Sequence, residues 1–136
     1  MSVQTELACL VDSHVHLDRY THDTVERMVR EAASVGVERL LTIGTDAESS
    51  RAALRLAARH PNVLAAVGVH PTRLLAAGGA EEATRRLAAL VTDGQPAAIG
   101  EVGLDGSAPD LDGQHRFLAA CLGLAAEHSL PLVLHV

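Results

Sequence analysis

The chain is 136 residues long, enough for one domain or part of a larger one, and its formal net charge is -6. That charge argues against sequence-independent capture of nucleic acid by a broad basic face, while leaving room for an enzyme that reaches phosphate through a metal. Hydrophobic residues make up 48%, yet there is one Phe, one Tyr and no Trp, so the core must be built from Ala, Leu and Val, as suits helices packed closely on a parallel sheet.

No basic-then-apolar leader opens the chain, and no apolar run approaches the ~18 residues of a membrane span. Cys9 and Cys121 lie far apart in apolar segments. The expectation is therefore a cytoplasmic protein with two buried, reduced thiols and no membrane anchor.

In chain order, Leu7 to Val11 reads as a short buried strand, followed by His14 and His16. Two histidines spaced i, i+2 on a strand share one face, with Cα atoms roughly 7 Å apart, and can converge on one metal ion. Thr21 or Asp23 can cap a helix running to Ser34, whose buried stripe is Val25, Met28, Val29 and Ala32. Gly36 stops it, Val37 to Ile43 is the next strand, and a second helix spans about Glu48 to His60 before Pro61. Val63 to Val69 is the third strand and leads into His70-Pro71. Gly78-Gly79 precedes a third helix with Glu81–Arg85 and Glu82–Arg86 pairs at i, i+4. Pro96 to Ile99 is a short fourth strand. The fourth helix starts near Asp110 or Asp112 and buries Phe117, Ala120, Cys121, Leu124 and Ala125; Leu132 to Val136 is the fifth strand.

Strands and helices alternate strictly, the pattern of parallel βαβ units with right-handed crossovers. A doubly wound open sheet and a (β/α)8 TIM-type barrel compete for it. The first βα turn reads Asp12-Ser13-His14-Val15-His16 and lacks the Gly-x-Gly-x-x-Gly of a dinucleotide fold, and no phosphate-loop Gly-Lys occurs. Polar residues that close successive strands favour the barrel, whose chemistry sits at the C-terminal ends of its strands. They are His14 and His16, Thr45 and Asp46, His70, Glu101 and His135.

Among these, Glu101 lies between glycines on an otherwise apolar strand, where an unpaired carboxylate is costly; a metal ligand is the better reading. His135 ends an apolar run and is either a ligand or a satisfied core histidine. His70 either orients substrate or caps a turn that Pro71 stiffens. His60, at a helix end, reads as a C-terminal cap favoured by the helix dipole. His22, His115 and His128 read as solvated.

Five motifs in order resemble those of the TatD family, metal-dependent deoxyribonucleases among the amidohydrolase-like (β/α)8 barrels. They are Asp12-Ser13-His14-Val15-His16-Leu17-Asp18, Gly68-Val69-His70-Pro71, Gly100-Glu101-Val102-Gly103-Leu104-Asp105, Gln114-x-x-Phe117 and Pro131-Leu132-Val133-Leu134-His135. The resemblance implies that His14, His16, Glu101 and His135 hold two divalent ions (Mg, Mn or Zn), with Glu101 bridging, and that His70 contacts the phosphate. It implies a two-metal-activated water hydrolysing DNA from an end, as an exonuclease.

The chain departs from that pattern in two places. The family's barrel has three further strands, which supply another metal-binding His and a late Asp that activates water, and a complete barrel takes about 250 residues. Residues 1–136 are thus expected to be the N-terminal part of one TIM-barrel hydrolase domain, with strands 1–5, the catalytic Asp beyond Val136, and no turnover from this piece alone. Gly106-Ser107-Ala108 also stands where the family often has aromatic residues. Two other readings are a related amidohydrolase-like or phosphoesterase barrel acting on small substrates, and an inactive truncated remnant.

Overall fold

The computed structural model describes residues 9–136. Five strands, β1 (Leu10–Val15), β2 (Val37–Ile43), β3 (Val63–Val67), β4 (Ala98–Gly103) and β5 (Leu132–His135), alternate with four helices. The helices are α1 (His22–Ser34), α2 (Ala47–Arg59), α3 (Gly79–Gly94) and α4 (Leu111–His128). Single 3-10 turns, Leu17–Arg19 and Pro71–Arg73, follow β1 and β3. All pairings are parallel and the sheet order is β1-β2-β3-β4-β5. A doubly wound sheet reverses direction about its first strand. Here each strand adds on the same side of the last, which is the growth of a barrel wall.

Small residues allow the layers to close. Leu41, Ile43, Ala66, Ala98 and Val133 pack together on the inner face of the sheet. On the helical face, Leu17, Val25, Val29, Leu40 and Val63 seat α1, and a larger cluster around Leu87, Val91, Ile99, Phe117 and Cys121 seats α3 and α4. α2 is started by Asp46, whose carboxylate accepts the Ser49 N–H while the Ser49 hydroxyl serves the Asp46 backbone, a reciprocal cap. Among the described residues no helix is long and apolar enough to cross a membrane.

Several expectations are corrected. The first strand begins at Leu10, so Leu7 and Ala8 lie outside the described residues, and Leu10 and Val11 are 50% and 58% exposed rather than buried. β1 pairs only with β2, so one of its edges and much of its faces meet no described neighbour. Cys9, next to it, is exposed for the same reason, and only Cys121 is buried. The fourth strand is not Pro96 to Ile99 but Ala98–Gly103, because the Gly-Glu-Val-Gly segment itself pairs with β5. β3 ends at Val67, two residues early. His60 does stand at the C-cap of α2, but it is buried, with Nε2 4.0 Å from Glu26 and no hydrogen-bond partner there.

The two thiols should react differently. Burial pushes Cys121 up to about 12, so of the two thiols in folded residues 1–136 Cys9 should take up alkylating reagent at neutral pH first, and slowly, since its hydrogen bond to the Glu38 carboxylate raises that thiol too. Peptide mapping after alkylation checks this, with Cys121 labelled only after denaturation.

Candidate metal centre

The centre is built around one carboxylate. Glu101 sits on β4 with its side chain 11% exposed. Its backbone N–H donates to the Gly44 carbonyl (3.0 Å), which ties β4 across to the end of β2. Glycine is required on both sides of it. A Cβ on Gly68 would stand 2.5 Å from the Gly100 carbonyl carbon, and a Cβ on Gly100 would stand 2.5 Å from the Val133 Cβ. Ser50, fully buried on α2, fastens this close approach by accepting the Gly68 N–H (3.1 Å) and donating to the Gly68 carbonyl (3.2 Å).

The two carboxylate oxygens face different histidines. Oε2 is 3.6 Å from His14 Nε2, and Oε1 is 3.0 Å from His135 Nδ1. Two groups, His14–His16–Glu101 and His70–Glu101–His135, each bring three ligand-competent atoms within 4.8 Å of one another, and Glu101 belongs to both. The sequence-predicted residues His14, His16, Glu101 and His135 are thus brought together, and His70 joins them. A cavity of about 370 Å³ lies over the two groups.

Hydrogen bonds set the tautomers. His16 Nδ1 lies 3.0 Å from the Ile43 carbonyl. A carbonyl only accepts, so Nδ1 carries the proton and Nε2 keeps its lone pair, the usual arrangement behind a metal-ligating imidazole. His70 Nδ1 accepts the Thr72 N–H (3.2 Å), so the neutral ring carries its proton on Nε2. Burial, and then the neighbouring His135, pushes the His70 pKa below the ordinary histidine value and favours that neutral ring. His70 is also the N-cap of the turn at Pro71, so the capping and site readings both apply to it.

These assignments test the site for a cation. His135 Nδ1 is 3.1 Å from His70 Nε2 as well as 3.0 Å from Glu101 Oε1. Protonated, Nδ1 serves the carboxylate but opposes the Nε2–H of His70. Unprotonated, it accepts from His70 but leaves two lone-pair atoms face to face. With Glu101 ionised, no proton placement on the two neutral rings satisfies both contacts. A cation between the His135 nitrogen and the Glu101 carboxylate would remove the clash of lone pairs at that contact and free the His70 Nε2–H to donate toward the cavity instead. The imidazole and carboxylate donor set fits a divalent ion of the Zn, Mn or Mg kind.

Asp105 completes the group. Its carboxylate lies 3.6 Å from His135 Nε2, on the side of the ring away from Glu101. The Ser107 hydroxyl and N–H hold this carboxyl below the usual range. The loop that carries it is fastened by Gln114, fully buried on α4: its Oε1 accepts the Asp105 N–H (2.8 Å), and its Nε2 donates to the Asp105 and Pro109 carbonyls (3.2 Å each). Sequence reasoning singled out Gln114 and Asp105 only as motif positions. A buried amide nine residues after an Asp is the signal that marks them as a pair.

A family model described as TatD related DNase matches residues 11–136. The chain belongs to the TatD family. It is 38% identical over 136 residues to a Mycobacterium tuberculosis protein named an uncharacterised metal-dependent hydrolase TatD, covering 93% of this chain and 51% of that protein. Over 113 residues it is 39% identical to a 3'-5' ssDNA/RNA exonuclease TatD of Erwinia tasmaniensis, covering 81% and 43% respectively. The crystal structure of YJJV, a TatD homologue from Escherichia coli, superposes with a TM-score of 0.81 at 28% identity, over 95% of this chain and 51% of that one. A TatD family hydrolase structure from Entamoeba histolytica shares the fold at 21% identity, with a TM-score of 0.71. The chain spans about half the length of the curated relatives it matches.

Replacing Gln114 with Leu keeps the volume and orphans the Asp105 N–H and two carbonyls. The expected cost is about 1–3 kcal/mol, read as a lower denaturant midpoint, with proteolysis rising first in the loop between β4 and α4.

Proposed function

We propose that this chain is the N-terminal part, strands 1–5, of a barrel hydrolase domain that cuts phosphodiester bonds of nucleic acid from an end with two divalent ions. The observation that carries the reading is the division of the Glu101 carboxylate: one oxygen toward His14, the other toward His135. One carboxylate shared by two ligand groups is what a two-ion site needs. Relatives named as metal-dependent hydrolases and as 3'-5' ssDNA/RNA exonucleases support the substrate class.

In this reading His14 and His16 hold one ion, His135 holds the other, and Glu101 belongs to both. Such ions, when bound, supply Lewis acidity toward a phosphoryl oxygen and a lowered pKa for water. The residues of the chain do the rest. Asp105 orients the His135 ring through Nε2, as carboxylates behind ligating histidines do. His70 offers its Nε2–H to a phosphoryl oxygen, in a position fixed by Thr72. The Asp that activates water and a further His belong outside residues 1–136, so residues 1–136 alone should show only background cleavage. The unpaired thiols Cys9 and Cys121 fit a reducing, cytoplasmic setting.

Calorimetric titration with Mn or Zn should show Glu101→Gln losing more affinity than His70→Ala, because only Glu101 serves both ions. Equal losses would overturn the division of roles. Metal-dependent release of nucleotides from single-stranded DNA ends, abolished by chelator and by His14→Ala, is the expected activity of the whole protein. Turnover of cyclic amides or phosphate monoesters without DNA cleavage would overturn the substrate class.

A further inference from the structure

Besides the two ligand groups, the cavity over the centre is lined by Arg19 and Arg73. Each ends a one-turn 3-10 helix that begins directly after a histidine of the site, Arg19 after His16 and Arg73 after His70. Both turns are closed by the arginine's own backbone, with Arg19 N–H donating to the His16 carbonyl (3.4 Å) and Arg73 N–H to the His70 carbonyl (2.8 Å). The chain has thus placed a guanidinium three residues beyond a site imidazole twice, on separate strands.

Arg73 is held further by an ion pair with Asp46. That carboxylate also accepts the N–H and hydroxyl of Ser49 (2.8 and 2.7 Å), so its charge is already engaged. Burial would raise the Asp46 pKa, but these bonds and the guanidinium outweigh it and hold it low, so the pair persists at neutral pH. A guanidinium has five N–H donors in a fixed fork, and the Arg73 side chain is still 52% exposed, so donors remain for an anion. Arg19 and Arg73 also line a neighbouring cavity of about 280 Å³, which puts them on the wall between it and the centre. Among the described residues Arg19 and Arg73 are the two cations that line the cavity over the centre, so recognition of a phosphate there falls to them.

We propose that Arg19 and Arg73 clamp the phosphate next to the one at the metal-ligand groups, so that the site selects a strand end carrying successive phosphodiesters over an isolated ester. This rests on the phosphodiesterase reading above and adds the feature of the substrate that is read. Arginine suits the task because its fork meets two phosphoryl oxygens at once.

The test uses the whole protein and the variants Arg19→Ala, Arg73→Ala and Arg73→Lys. With chelator present, fluorescence anisotropy measures binding of a labelled single-stranded oligothymidylate across a range of KCl. Arg73→Ala should weaken binding roughly tenfold and lower the slope of log K against log salt by about one phosphate contact, Arg19→Ala should act in the same direction, and Arg73→Lys should keep the slope while losing affinity. With Mn loaded, kcat/KM for the oligonucleotide should fall roughly tenfold further in Arg73→Ala than kcat/KM for bis(4-nitrophenyl) phosphate, which has no neighbouring phosphate. An unchanged salt slope in both alanine variants, or equal losses on the two substrates, overturns the clamp. Native protein inert on both substrates overturns the phosphodiesterase reading instead, and the anisotropy then decides the clamp alone.

Discussion

Everything at the centre depends on holding one carboxylate nearly out of water among imidazoles. Removing a carboxylate from water costs several kcal/mol unless positive charge or hydrogen bonds replace the solvent. Glu101 has little of either from the protein itself. Its oxygens meet His14 at 3.6 Å and His135 at 3.0 Å, and the tautomer that Thr72 imposes on His70 stops His135 from serving both of its neighbours. The polypeptide therefore presents a set of lone pairs that could hold a metal ion.

That set exists because the strand ends come unusually close. Gly68 and Gly100 have no side chain to keep β3, β4 and β5 apart, and Ser50 spends both of its hydrogen-bonding roles on Gly68. Thr42, also fully buried, accepts the Leu17 N–H (3.1 Å) and so ties the turn after His16 to β2. Gln114 does the same for the loop that carries Asp105. The ends of β1 and β3 and the loop after β4 are thus each pinned by a buried polar side chain from another element. Buried hydrogen bonds of this kind are costly to break, and that cost is what gives a site its geometry.

The same economy extends to the mouth of the cavity. These 136 residues carry a net charge of -6 and no lysine, so what positive charge stands at the cavity comes from particular arginines. Two arginines stand on the turns that bear His16 and His70, one of them fixed by the cap of α2. Helix capping, turn closure and the proposed phosphate clamp therefore share the residues Asp46, Ser49 and Arg73.

The alternation of strand and helix, the stop at Gly36 and the start of α4 near Asp110 were legible in the chain, because periodicity and capping are local properties; the cap of α2 at Asp46 was not read there. So was the candidate ligand set: a Glu between glycines on an apolar strand, and histidines closing three others, are chemically out of place unless they do something. Local pattern could not tell that Leu10, Val11 and Cys9 would be exposed, since exposure at a sheet edge depends on which strands have neighbours. Nor could it foresee that Gly100 to Gly103 would pair as strand, which follows from contact with β5 about thirty residues away. The partnership of His70 with His135 across 65 positions, the sharing of Glu101 between two groups, and the turn of Arg19 and Arg73 toward one cavity were decided by tertiary structure alone. Residue type states what a side chain can bind; only the closing of the sheet brings the side chains within reach of one another.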